Sequence, residues 1–203
     1  MNNIIELDNS YYIEILNRNN EIPVNTVDIC HLSLIKVLKS KNIVLRIDFD
    51  KLQVIFEMTK ILNKVTDENQ DCEKILKLFL NTIYVLDKYN KDIKLVVNTF
   101  KIKLFALLGF APRQDKCANC SKPLLEDLDE FVYYDYIDNK FVCENCKDTV
   151  DSKRRIRISK ATYNAIFYVI RSDIKKIFSF ELKSYVDYDL FGQVFMDATL
   201  SGL

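Results

Sequence analysis

Phe100-Lys-Ile-Lys-Leu-Phe-Ala-Leu-Leu-Gly-Phe-Ala-Pro112, followed within five residues by Cys117-Ala-Asn-Cys120, is the stretch on which the reading of this chain turns. Val97, Phe100, Leu104, Leu107 and Leu108 recur at helical spacing and predict a helix from about 94 to 108. Gly109 stands where a left-handed residue closes a helix, and Pro112 prevents its continuation. A second pair, Cys143-Glu-Asn-Cys146, follows after 22 intervening residues. Each pair can bend round one ion, and the intervening chain is long enough for a hairpin that brings the pairs together. Cys117, Cys120, Cys143 and Cys146 are therefore candidate ligands of one Zn²⁺ per chain. Four thiolates leave no position open to water or substrate, so the expected metal is structural. Free thiols or redox pairs are the weaker reading, because a redox Cys-x-x-Cys normally occurs once and opens a helix in a βαβ setting.

Between the pairs, the β-rich Phe131-Val-Tyr-Tyr-Asp-Tyr-Ile137, a turn at Asp138, Asn139 and Lys140, and then Phe141-Val142 predict that hairpin. The acidic stretch 126–130 reads as a surface loop that could meet a basic partner. Past the second pair, Lys153-Arg-Arg-Ile-Arg-Ile-Ser-Lys160 reads as a basic link into a helix at about 159–170, with Ile166, Val169 and Ile170 inward. Lys153, Arg154, Arg155, Arg157 and Lys160 are candidate phosphate contacts, and a solvated linker is the plainer alternative. Tyr133, Tyr134 and Tyr136 could stack on bases, although alternation on a hairpin favours packing of one face. Lys101 and Lys103, on the polar side of the preceding helix, could face DNA or only solvent.

Upstream, Leu52, Ile55, Phe56 and Leu62 predict one helix, and Ile75, Leu76, Phe79, Leu80, Ile83 and Leu86 a second that Asp71 could cap. Residues 1–47 hold short β-like runs at 11–16 and 43–47, with a possible helix at 32–39. The tail, 178–200, alternates loosely and is expected to close the helical core.

Composition excludes more than it assigns. Lys plus Arg and Asp plus Glu number 29 each in 203 residues, so any nucleic-acid surface has to be local. Three glycines, at 109, 192 and 202, cannot build a phosphate-binding loop. The lone His31 lacks a nucleophile elbow and reads as structural, which argues against a hydrolytic triad. Cys30 and Cys72 read as buried small apolar residues. No apolar run approaches the roughly 20 residues of a membrane span. Met1-Asn-Asn-Ile-Ile-Glu has neither the basic nor the apolar region of a signal peptide. The expectation is a cytoplasmic protein, where paired cysteines hold metal more often than they form disulfides.

The order helix, Leu-Leu-Gly-aromatic-x-Pro, Cys-x-x-Cys, hairpin, Cys-x-x-Cys resembles the RecO family of DNA repair proteins. Leu45-Arg-Ile-Asp-Phe-Asp-Lys-Leu52 resembles the entry to that family's first core helix, and 158–180 its closing helices. The resemblance covers about 40–203. It implies an N-terminal OB barrel, a helical domain and a zinc module. It also implies a recombination mediator that binds single- and double-stranded DNA, anneals strands, and acts with RecR to load recombinase on strands coated by single-strand binding protein. The departure is at the front, where five strands and their loops would consume nearly all of residues 1–47.

The expected fold is α+β, mainly α. It has a shortened OB-like β element over 1–47 and a helical domain over 48–203, with a four-cysteine zinc ribbon inserted at 114–150. The expected function is a non-enzymatic, nucleoid-associated mediator with no membrane or small-molecule ligand. The rival is a protein-interaction scaffold without direct DNA binding. A zinc hydrolase is disfavoured for want of histidine ligands.

Overall fold

The computed structural model describes residues 49–65, 73–112, 115–125 and 129–201. The expected N-terminal β element, His31, Cys30, Cys72, the Asp71 cap and residues 126–128 of the acidic stretch lie outside them. The described chain is mainly helical with one three-stranded antiparallel sheet. Chain proximity divides it inside the third helix, between Val97 and Asn98.

In the part before Asn98, α1 (Phe49–Val65) and α2 (Glu73–Lys88) form where apolar residues recur at helical spacing. Ile55, Met58 and Leu62 are buried on α1, whereas Phe56, expected inward, is exposed. The α2 stripe Ile75, Leu76, Phe79, Leu80, Ile83 and Leu86 is buried as expected.

α3 (Ile93–Leu107) starts where the Asp92 carboxylate accepts from the Leu95 N–H at 3.0 Å. It ends in a Schellman motif. Gly109 adopts φ +90°, its N–H donates to Ala106 O at 3.2 Å, and the Phe110 N–H donates to Phe105 O at 2.9 Å. The accompanying apolar contact is edge-to-face between Phe105 and Phe110, with centroids 6.4 Å apart.

The remainder is built round the sheet. β1 (Phe131–Asp135) pairs with β2 (Lys140–Cys143), and on its other side with β3 (Arg155–Ser159). A basic link was expected at 153–160; the structure has a short 3₁₀ turn (Ser152–Arg154) and a strand there instead. Strand alternation explains this. Ile156 and Ile158 face Tyr134 and Val132 across the ladder, while Arg155 and Arg157 face Asp135 and Tyr133 on the opposite side.

α4 (Lys160–Arg171) is capped by the Ser159 hydroxyl, which accepts from the Thr162 N–H. At its other end the Lys103 ammonium donates to Ile170 O at 3.0 Å and Ser172 O at 2.6 Å. Lys103 is therefore buried at a helix C-terminus rather than turned toward solvent, and burial lowers its pKa.

The tail is a helix, α5 (Val186–Ser201), carrying Tyr188, Phe191 and Phe195 inward. Phe191 and Phe195 join Tyr134, Phe141, Tyr163 and Phe167 in one aromatic cluster, whereas Tyr188 meets the Phe180 ring and the Thr99 hydroxyl. Phe141 lies 5.0 Å from Tyr134, 5.0 Å from Tyr163, 5.9 Å from Phe167 and 6.0 Å from Phe191.

Gly192 lets α5 approach Asn98, whose side-chain amide donates to the Asp189 carboxylate at 2.7 Å. A Cβ at Gly192 would come within 2.5 Å of Asn98 Oδ1. Asn98 is itself buried and cannot turn away without breaking that bond. Gly192→Ala should therefore cost about 1–3 kcal/mol despite alanine's better helix propensity. Chemical denaturation of the two proteins measures the difference, and an alanine variant as stable as the parent would refute the close packing.

Candidate metal centre

Cys117 and Cys120 lie on a turn closed by Cys117 N–H to Lys122 O (2.8 Å) and Ser121 N–H to Cys117 O (2.9 Å). Ser121 takes the left-handed conformation at φ 61°, which reverses the chain just after the second ligand. Cys143 ends β2, and Cys146 sits in the 3₁₀ turn that follows (Glu144–Thr149). The first turn is fastened to the hairpin by the Ala118 N–H, which donates to Phe141 O at 2.9 Å. Both pairs thus meet at the open end of the hairpin, away from its 136–139 turn.

The four sulfurs all lie within 4.8 Å of one another, and Cys120 Sγ is 3.7 Å from Cys143 Sγ. Four thiolates at about 2.3 Å from a tetrahedral Zn²⁺ stand about 3.8 Å apart, so the donor set fits such an ion. Cys117, Cys143 and Cys146 are buried and Cys120 is exposed. The Cys143 N–H donates to Cys117 Sγ at 3.4 Å, and the Asn119 side-chain amide to Cys146 Sγ at 3.4 Å. Asn119 had no role in the sequence reading; its only signal was its place inside the first Cys-x-x-Cys.

Electrostatics show why this cluster wants a cation. Burial works against ionisation of Cys117, but backbone N–H groups of Cys120, Cys143 and Asn119 outweigh it and bring that thiol down to about 7. Burial and the neighbouring sulfurs push Cys143 up to about 12. Cys120 is also raised: the Lys122 N–H acts to lower it, yet the adjacent sulfurs and some desolvation prevail. One thiolate forms readily, and each further negative charge beside it is disfavoured unless a divalent ion compensates.

Beside the cysteines, the outer face of the sheet carries the basic residues. Arg154 reaches Asp135 at 3.1 Å and Asp138 at 3.0 Å, while Lys140 reaches the same two carboxylates at 3.7 and 2.6 Å. Lys140 first, and Arg154 after it, hold the Asp138 carboxyl below the usual range. Arg155 donates to Lys147 O and to Val150 O, pairs with Asp148 at 3.1 Å, and lies 5.6 Å from the Tyr133 centroid. Arg154 and Arg155 are therefore spent on the protein's own groups. Arg157 lies 4.3 Å from the Phe131 centroid and Lys160 5.6 Å from that of Tyr163. Lys153 and Arg157 are exposed, and among the described residues neither forms an ion pair.

The tyrosines are packed. Tyr134 is fully buried with its hydroxyl donating to Asn139, Tyr133 lies under Arg155 and Lys147, and the Tyr136 hydroxyl donates to Lys153 O. The acidic partners Asp135, Asp138 and Asp148, which decide what the arginines do, carried no signal in the linear sequence.

The family model described as Recombination protein O C terminal matches residues 46–192, which is 147 of the 203. The chain belongs to the RecO family. The DNA repair protein RecO of Acetivibrio thermocellus is 30% identical over 142 residues, covering 70% of this chain and 54% of that protein. That of Thermoanaerobacter sp. is 25% identical over 130 residues, covering 64% and 50%. The chain thus spans about half the length of these RecO relatives. No solved structure matches. No helix among the described residues is long and apolar enough to cross a membrane.

Asp135 is the buried centre of the polar network at the hairpin turn. Besides its two cationic partners it accepts from the N–H groups of Ile137 (3.2 Å) and Asp138 (3.3 Å). Asp135→Ala should cost about 1–3 kcal/mol. That is below the loss from a fully dry pair, because Arg154 and Lys140 are partly solvated. Thermal unfolding at neutral pH reads this loss, and an unchanged midpoint would show the network to be decorative.

Proposed function

We propose that this chain serves as a DNA repair and recombination mediator of the RecO type. In this role it holds one structural Zn²⁺ on Cys117, Cys120, Cys143 and Cys146. It binds single- and double-stranded DNA and works with RecR and single-strand binding protein to promote annealing and recombinase loading. The match of residues 46–192 to the RecO C-terminal model carries this reading, and the approach of the four sulfurs supports the metal. A non-catalytic role, a cytoplasmic, nucleoid-associated location, a reduced OB-like element over 1–47, and a helical domain over 48–203 with its ribbon at 114–150 belong to the same proposal.

Zinc would supply no reactive position here, since four thiolates complete its coordination. Its work is to close the end of the hairpin. Purified protein is expected to retain one equivalent of zinc by atomic absorption, and Cys143→Ser to lose it. Each kcal/mol of lost stability lowers the melting temperature by about 2–4 °C in a chain of this size. A wild-type protein free of zinc, with a melting temperature indifferent to chelator, would overturn the metal assignment.

For DNA, the five basic candidates reduce to two. Arg154 and Arg155 hold the fold and the Lys160 ammonium is buried, which leaves Lys153 and Arg157 for phosphate. Two phosphate contacts give a slope of about −2 in log K against log salt for duplex. Lys153→Glu with Arg157→Glu should weaken binding at low salt by at least about tenfold and flatten that slope. The scaffold reading draws on a specific observation, the carboxylates paired with Arg154, Arg155, Lys140 and Lys147. Retention of DNA unchanged by the double substitution would move the contact elsewhere. No salt-dependent retention by the wild type would leave the scaffold.

A further inference from the structure

We propose that the cysteine cluster is also a peroxide-sensitive switch, in which Cys120 is the point of attack and Cys143 the residue that resolves it. This rests on the metal reading above but turns on an asymmetry among the ligands. Three of the sulfurs are shielded: Cys143 is fully buried, Cys117 is 2% exposed and Cys146 is 7% exposed. Cys120, on the reversing turn that ends in Ser121, is open to solvent. An oxidant arriving from water therefore meets one sulfur first.

The second step follows the sulfur contact that crosses between the two pairs. Cys143 Sγ lies 3.7 Å from Cys120 Sγ, and it belongs to the other pair. The Cys120 thiolate attacks one oxygen of hydrogen peroxide, the O–O bond breaks, and Cys120 becomes a sulfenic acid as hydroxide leaves. The Cys143 thiolate then attacks that sulfur, the S–O bond breaks, a second hydroxide leaves, and a Cys120–Cys143 disulfide forms. Two thiolates lose two electrons and peroxide gains two, so no other reactant is needed. The disulfide removes one ligand from each pair. The two that remain, Cys117 and Cys146, cannot complete a tetrahedral site, and the ion is released.

The change should stay local. The first turn is held to the hairpin by the Ala118 to Phe141 hydrogen bond and to its own base by the Lys116–Pro123 bridge and the Leu124 N–H to Asp115 O bond. The sheet itself is anchored in the aromatic cluster through Tyr134 and Phe141. Oxidation would thus free the metal and loosen the 117–122 turn without unfolding the strands.

The test uses the wild-type chain, residues 1–203. Zinc content is measured first, and the protein is then titrated with hydrogen peroxide while a zinc-binding dye reports release. Free thiols are blocked by alkylation at each step, and the disulfides are mapped by mass spectrometry. The expected result is one zinc freed per Cys120–Cys143 bond, with Cys120 the first sulfur lost to alkylation and far-ultraviolet circular dichroism unchanged. A Cys117–Cys120 or Cys143–Cys146 bond, a bond from Cys120 to Cys30 or Cys72, or zinc retained after Cys120 has reacted would each overturn the proposal. Protein that carries no zinc from the start would sink the metal reading, and the disulfide map would still decide whether Cys120 pairs with Cys143.

Discussion

Phe141 is the point at which the hairpin and the helices become one structure. Its ring meets Tyr134, Tyr163, Phe167 and Phe191, while its carbonyl accepts the hydrogen bond that pins the first cysteine turn. Cys143 follows two residues later on the same strand. The strand period of two puts Phe141 and Cys143 on the same face, so one short strand buries a ring in the core and delivers a sulfur where it ends. Each aromatic pair adds about 0.5–1.5 kcal/mol beyond the area it buries. The position of the cysteine cluster is therefore inherited from the packing of the core.

The parts of this architecture that are encoded locally could be read from the chain alone. The end of α3 is one: Gly109, Phe110 and Pro112 are each required by the geometry of a helix stop, and the two hydrogen bonds of the Schellman motif involve only residues 105–110. The cysteine spacing is another, because two-residue gaps constrain the turn whatever surrounds it. β3 was legible too, through the alternation Arg-Ile-Arg-Ile, but its charges favoured reading it as a link. A period of two should have outweighed charge content, since an edge strand with one solvated face is expected to carry charge there.

What could not be read depended on partners distant in sequence. Gly192 counts against a helix by propensity, and only the approach of Asn98 explains it. Lys103 looks like a solvated face until the last turn of α4 arrives to take its ammonium. The basic run 153–160 likewise looks more cationic than it is. Arg154 finds Asp135 and Asp138 and Arg155 finds Asp148, so the exposed charge that remains is that of Lys153 and Arg157. A linear cluster of like charge is an upper bound on a surface patch, because the fold can bring carboxylates to it that the sequence holds elsewhere.

The hairpin is thus secured at three places by three kinds of force. At its turn, Asp135 gathers two cations and two backbone amides. In its middle, Tyr134 and Phe141 are committed to the aromatic core. At its open end, four sulfurs converge that would repel one another once ionised. Ion pairing and packing are formed by the chain itself, whereas the third closure is a cluster that could hold a metal ion from outside. The open end is also where Cys120 reaches solvent. A fold arranged in this way can surrender the closure that depends on chemistry outside the chain while keeping the two that do not, so the sheet and its outer face would persist whichever state the sulfurs are in.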